Sequence, residues 1–92
     1  MLTIGNIIDN VKCESFKDPD TGRIRIRPIP NQGIPTGLMI ESLKVFRDTD
    51  KFPLGTQFYA TTVKVCQKEI GRIYLRAEKQ MLYEINDTKQ HL

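Results

Sequence analysis

Three arginines stand on alternate residues in the first third of this chain. The segment GRIRIRPIP places Arg23, Arg25 and Arg27 between isoleucines. Alternate residues of a β-strand point to one face, so neighbouring arginines would lie about 6.6 Å apart. That spacing suits successive phosphates of a nucleic acid. It equally suits a solvated strand face, where long charged side chains protect an edge against aggregation.

A second row combines cations with an aromatic ring. The segment RIYLRAE carries Arg72 and Arg76 on either side of Tyr74. Arginine binds phosphate and stacks on bases, and tyrosine offers a stacking surface, so this composition is typical of a groove that binds single-stranded nucleic acid. The structural alternative is a sheet face in which Tyr74 covers neighbouring strands and the arginines pair with Glu69 or Glu78.

The two rows predict a function only if the fold brings them to one surface. In that case the arginines, with Lys64 or Lys68 nearby, would form a basic patch around Tyr74 and bind single-stranded nucleic acid weakly and without sequence preference. The alternative is a non-enzymatic module that binds a protein or a small ligand, with a pocket at a barrel mouth near Tyr83 and Met81.

The chain lacks the residues that most catalytic sites require. Its one histidine, His91, stands next to the last residue, and no Ser–His or Cys–His pair is indicated. No glycine-rich phosphate-binding motif is present. The two Asp-X-Asp sequences, at 18–20 and 48–50, lie in predicted turns, where aspartate bonds to its own backbone. We therefore expect no enzymatic activity, no metal site and no cofactor.

Composition predicts one soluble domain spanning residues 1–92, with 86–92 a frayed tail. The chain is 39% hydrophobic and 27% charged, with a formal charge of +3. It has neither a signal peptide nor an apolar run long enough to span a membrane, which favours the cytoplasm. The two cysteines, Cys13 and Cys66, match no zinc or redox spacing, and we expect them to be reduced and at least partly buried.

The hydrophobic pattern predicts short strands joined by turns. Two hairpins are indicated: residues 11–16 with 23–27, and residues 58–67 with 72–78. Weaker strands are expected at 38–41 and 81–85, and a proline- and glycine-rich crossing at 28–37. Residues 43–50 fit either a short helix capped by Ser42, with Leu43 and Phe46 facing inwards, or a continued strand.

The fold class that fits is all-β, or β with one short helix. No helical segments separate the strands, so we expect a small, strongly twisted antiparallel sheet that curls into a half-open barrel. On each segment with alternating apolar residues, the apolar side chains that point to one face should form the core. These residues are Ile24, Ile26, Val63, Val65, Ile73, Leu75 and Ile85.

A sheet that does not close leaves an edge uncovered, so we expect self-association, most simply as a symmetric dimer. Four aromatic residues near the loops are candidates for the interface, although at least two of them should instead belong to the core. They are Phe46, Phe52, Phe58 and Tyr59.

The runs IRPIPNQGIPTGLMIE and FPLGTQFYATTVKV resemble a group of small uncharacterised bacterial proteins associated with mobile elements and gene cassettes. The resemblance covers residues 26–65, and its marks are the proline- and glycine-rich crossing and the FPLGT turn. It implies a compact domain from the accessory gene pool and brings no catalytic motif or substrate.

Overall fold

The computed structural model describes residues 2–85 and consists of six strands and two short 3₁₀ turns. The predicted frayed tail and His91 lie outside the described residues. The strands are β1 (Ile7–Lys17), β2 (Ile24–Pro28), β3 (Ile40–Glu41), β4 (Gln57–Gln67), β5 (Ile73–Ala77) and β6 (Tyr83–Glu84). The 3₁₀ turns are Lys44–Arg47 and Glu78–Gln80; neither is long and apolar enough to cross a membrane.

All six strands belong to one sheet with the order β2–β1–β4–β5–β3, and β6 pairs with β4 off this path. The sheet is strongly twisted and nearly closed into a barrel, with one unsealed seam, which confirms the predicted fold class. The seam lies between the two ends of the path, β2 and β3. Every pairing is antiparallel except β3 with β5, which is parallel.

Both predicted hairpins are present, with differences in length. In the first, Lys17 pairs with Ile24 and Cys13 with Pro28; in the second, Gln67 pairs with Ile73. The strand β1 begins at Ile7 rather than at 11, because β4 pairs with it from Ile7 to Glu14. The strands expected at 38–41 and 81–85 shrink to two residues each.

Residues 43–50 form neither of the expected elements at full length, but a single 3₁₀ turn, Lys44–Arg47. Phe46 is buried as predicted, whereas Leu43 is exposed. The prediction that Ser42 caps this turn is wrong. Leu43 occupies the N-cap position and no side chain caps the turn. The Ser42 hydroxyl instead lies 3.5 Å from the Leu43 carbonyl oxygen.

The two eleven-residue strands, β1 and β4, change their inward face at the same place. In β4 the buried residues are Phe58 and Ala60, then Val63 and Val65, so the alternation shifts by one residue. In β1 the same shift falls at Asn10, which lies between the Asp9–Thr62 and Val11–Ala60 pairs. Asn10 adopts a left-handed backbone with φ of 54°. The paired strands therefore bend together, which lets the sheet curl.

The core contains four of the seven predicted residues in fully buried form: Ile26, Val63, Val65 and Leu75. Ile24, Ile73 and Ile85 are only partly buried. For the last strand the predicted inward face is wrong. Leu82 is buried in the core, whereas Ile85 is only partly buried. The other buried apolar side chains are Val11, Cys13, Ile34, Ile40, Phe46, Phe58, Ala60 and Ala77.

Three of the four aromatic residues considered for an interface are packed together. Phe46, Phe52 and Phe58 have ring centroids 5.2–5.8 Å apart, and Phe46 and Phe58 are buried in the core as expected. Tyr59 is half-buried against Tyr83, at 5.3 Å. Self-association remains a prediction, and Phe52 and Tyr59, which are only partly buried, remain candidates for its interface.

Asn10 supplies the first test of this fold. A β-branched side chain is strained in the left-handed region, whereas glycine adopts it freely. We expect Asn10→Val to lower the free energy of unfolding by about 1–2 kcal/mol and Asn10→Gly to change it by only a few tenths. Urea denaturation measures both. A valine variant as stable as the wild type would show that the bend does not depend on this residue.

The cysteines supply the second test. Both are free thiols; Cys13 is buried and Cys66 half-buried. Burial, with a smaller contribution from Glu14, raises the pKa of Cys13 to about 12. The thiolate is the reactive form, so Cys13 should resist alkylation until the protein unfolds. We expect iodoacetamide at pH 8 to label Cys66 alone in the native protein and both after denaturation, as read by peptide mass. Equal native labelling of the two would contradict this.

Candidate nucleic-acid interface

The arginines of the first row have different surroundings although they alternate along one segment. Arg27 is committed to structure: its Nε donates to Glu14 Oε2 at 2.9 Å, and its guanidinium lies 4.2 Å from the centroid of Phe16. Glu14 is its direct cross-strand neighbour on β1, and Phe16 lies on the same face. The pairing of β1 with β2 therefore fixes Arg27 as a cover for this sheet face.

Arg25 and Arg23 lie closer to the hairpin loop. Arg25 forms a looser ion pair with Asp18, with 3.6 Å between Nη1 and Oδ2. Arg23 precedes β2 and is exposed. Its backbone closes the loop, since the Asp18 N–H donates to the Arg23 carbonyl oxygen at 2.8 Å. Both guanidinium groups are thus positioned by a well-bonded turn.

The second row is similarly divided. Arg76 forms an ion pair with Glu41, with 3.2 Å between Nε and Oε1, across the parallel pairing of β5 with β3. Arg72 is exposed just before β5. Tyr74 is half-buried, with Lys68 Nζ 5.7 Å from its ring centroid. Partial withdrawal from water, followed by the influence of Cys66 and Glu41, raises the pKa of Tyr74, while Arg76 opposes the shift. The phenol therefore stays neutral and keeps its O–H donor at physiological pH.

The barrel seam brings one member of each row to a common cleft. This cleft, which we call the seam cleft, has a volume of about 190 Å³. Arg25 reaches it from β2 and Tyr74 from β5, because β3 between them is only two residues long. Its lining residues are Arg25, Ile26, Met39, Ile40, Glu41, Ser42, Arg47, Lys68 and Tyr74.

A wider depression adjoins the seam cleft. We call it the trough; its volume is about 730 Å³, and it is lined by Arg23, Ile24, Lys44, Val45, Arg47, Asp48 and Lys51. Arg47 lines both depressions, so the two adjoin at this side chain. The 3₁₀ turn at Lys44–Arg47 and the loop after it supply most of the trough. The first row contributes Arg23, which stands beside Ile24 at the start of β2.

Together the seam cleft and the trough form what we call the seam surface, which concentrates positive charge. Six cationic side chains line it against two acidic ones, Glu41 and Asp48. The whole chain is nearly balanced, with fourteen cations and eleven acids, so this surface departs strongly from the average. The six cations are Arg23, Arg25, Lys44, Arg47, Lys51 and Lys68.

The predicted site residues are thus partly brought together. Arg23, Arg25 and Tyr74 line the seam surface, whereas Arg27, Arg72 and Arg76 do not. Arg76 lines a separate depression with Lys64. Lys44, Arg47 and Lys51 were not predicted, because they lie outside the strands with alternating arginines. Their own signal was the three- and four-residue spacing of cations in KVFRDTDK.

The other predicted features are accounted for by local structure. The Asp20 and Asp50 N–H groups donate to Asp18 Oδ1 and Asp48 Oδ1, so both Asp-X-Asp sequences form turns as expected. No group of three potential metal ligands occurs within residues 2–85. At the alternative ligand site, Met81 packs against the core and Tyr83 lies exposed beside Tyr59.

Comparison with known proteins leaves the seam surface as the main basis for a function. No family model, no curated protein and no solved structure matches this chain. The resemblance to proteins of mobile elements therefore stays a prediction.

Substitution of Arg27 tests whether the arginines of the first row differ in their structural roles. Because Arg27 holds an ion pair and a cation–π contact on a partly exposed face, we expect Arg27→Ala to lower the free energy of unfolding by about 1 kcal/mol. Arg23→Ala, on the exposed loop, should change it by less than about 0.5 kcal/mol. Thermal or urea denaturation compares the two. Equal effects would remove the distinction between a structural and a solvent-directed arginine.

Proposed function

We propose that this protein binds single-stranded nucleic acid, without sequence preference, through the seam surface. It would act as a non-enzymatic accessory factor in the cytoplasm. The observation that supports this most directly is that the seam cleft and the trough adjoin at Arg47 and are lined together by six cations. These cations mark the proposed path of the strand.

The charges on this path have few intramolecular partners. Arg25 forms an ion pair with Asp18. Glu41, the acidic residue of the cleft, forms an ion pair with Arg76 instead of with a cation of the cleft. Within residues 2–85, no ion pair is found for Lys44, Arg47, Lys51 or Lys68. Neutralising such cations with phosphates releases the counterions of the nucleic acid, which drives binding.

The shape of the surface favours a single strand over a duplex. Proteins that read duplex DNA insert a protruding helix or ribbon into the major groove. Here the cations line depressions, which a flexible backbone can enter. Tyr74 lies at one end of the path and offers a ring for a base, as in other single-strand grooves. For a base to stack on the ring of Tyr74, the exposed side chain of Lys68 has to move away from that ring.

The test compares two double variants that remove the same charge from different places. Lys44→Ala/Lys51→Ala removes two cations from the trough, and Arg72→Ala/Lys64→Ala removes two exposed cations outside the seam surface. Fluorescence anisotropy with a labelled oligonucleotide over a salt series gives the slope of log affinity against log salt. We expect the trough variant to reduce its magnitude by about 1.4 and the control to leave it nearly unchanged.

Tyr74 provides an independent measurement in the same assay. Tyr74→Ala should weaken binding by about 1–3 kcal/mol with little change in the salt slope, since stacking releases no counterions. Tyr74→Phe should retain most of the affinity. Absence of binding at low salt, or equal slopes for the two double variants, would count against the proposal and favour the protein- or ligand-binding alternative.

A further inference from the structure

The seam cleft differs from the trough in size and in its polar lining. The seam cleft has a volume of about 190 Å³ and the trough one of about 730 Å³, so the cleft is the smaller of the two. The cleft is also the more enclosed of the two. A small, enclosed site favours the end of a strand over a strand that enters and leaves.

Hydrogen-bond donors surround this small volume. Arg25, Arg47 and Lys68 line it with cationic groups, and Ser42 adds a hydroxyl. Ser42 is buried, and its only bond within the described residues is the long one to the Leu43 carbonyl. A buried hydroxyl with so weak a bond has hydrogen-bonding capacity left for a ligand in the cleft.

The charge balance of the cleft favours a dianion. Among the described residues that line the cleft, the only acid, Glu41, is paired with Arg76 on β5, and of the cleft cations only Arg25 has an ion-pair partner, Asp18. A phosphate monoester carries about −1.5 to −2 at neutral pH and has three free oxygens. An internal phosphodiester carries a single charge and is flanked by sugars on both sides, which suits the smaller, more enclosed cleft less well.

We infer that the seam cleft binds a terminal phosphate monoester, so that a single strand lies along the trough with its phosphorylated end in the cleft. This inference rests on the proposed function for the strand itself. The phosphate site is independent of it and would also accept the phosphate of a free nucleoside monophosphate.

The experiment measures anisotropy with one oligonucleotide sequence in three forms: a 5′-phosphate, a 3′-phosphate and no terminal phosphate. We expect one phosphorylated form to bind about tenfold more tightly than the unphosphorylated form, as one or two charge-assisted hydrogen bonds provide. Competition by AMP against adenosine distinguishes a free nucleotide from a strand end.

Two single-charge variants localise the effect. Lys68 lines only the cleft and Lys44 only the trough, and both are exposed, so neither substitution threatens folding. Lys68→Gln should reduce the preference for the phosphorylated end to about twofold or less. Lys44→Gln should weaken all three oligonucleotides equally and preserve the preference.

The outcomes separate this inference from the proposed function. Equal binding of all three oligonucleotides would overturn the terminal-phosphate site and leave strand binding in place. A preference that Lys68→Gln does not reduce would overturn the site as well. If no oligonucleotide binds but AMP binds more tightly than adenosine in a Lys68-dependent way, the phosphate site stands and strand binding fails. If neither nucleic acid nor AMP binds, both proposals fail.

Discussion

The pairing of β1 with β4 is the interaction on which the rest of the fold depends. Each strand has eleven residues, and together they form the longest antiparallel pair of the sheet. Every other strand joins this pair directly or through one neighbour. The shift of the inward face at Asn10 and near Thr61 lets β4 bury residues on both sides of the bend. In β1 it lets Ile8 pack against the core, while Ile7 stays exposed. Without that shift, β4 would turn the apolar side of one half to water.

The outer strands, β2 and β3, approach each other without forming a ladder, and the reasons lie in their sequences. Pro28 of β2 has no N–H to donate, which suits an edge position. The strand β3 has two residues because Pro35 and Gly37 precede it and a 3₁₀ turn follows it closely. An edge of this kind is typically guarded by charge, and the cations of the seam surface fulfil that role as well.

Cross-strand partners decide which arginines are free to meet a ligand. Arg27 and Arg76 lie opposite or beside acidic residues on neighbouring strands, Glu14 and Glu41, and their charges are neutralised within the sheet. Arg47 has no such neighbour because it stands on a turn outside the ladder. Ion pairing in the strands and free charge in the loops thus follow from one feature of the fold. The strand register brings opposite charges together, and the loops have no register.

By itself the sequence determined the strands, both hairpins, the closure into a small barrel and about a third of the core, because alternation and turn residues act locally. It also explained both Asp-X-Asp turns and the free thiols. Only the tertiary structure decided the change of inward face in β1 and β4, since an αL residue such as Asn10 breaks the parity from which burial is inferred. It also decided which cations share a surface. That depends on how far the sheet closes, and closure brings Arg25, Arg47 and Tyr74 together from segments that are remote in sequence.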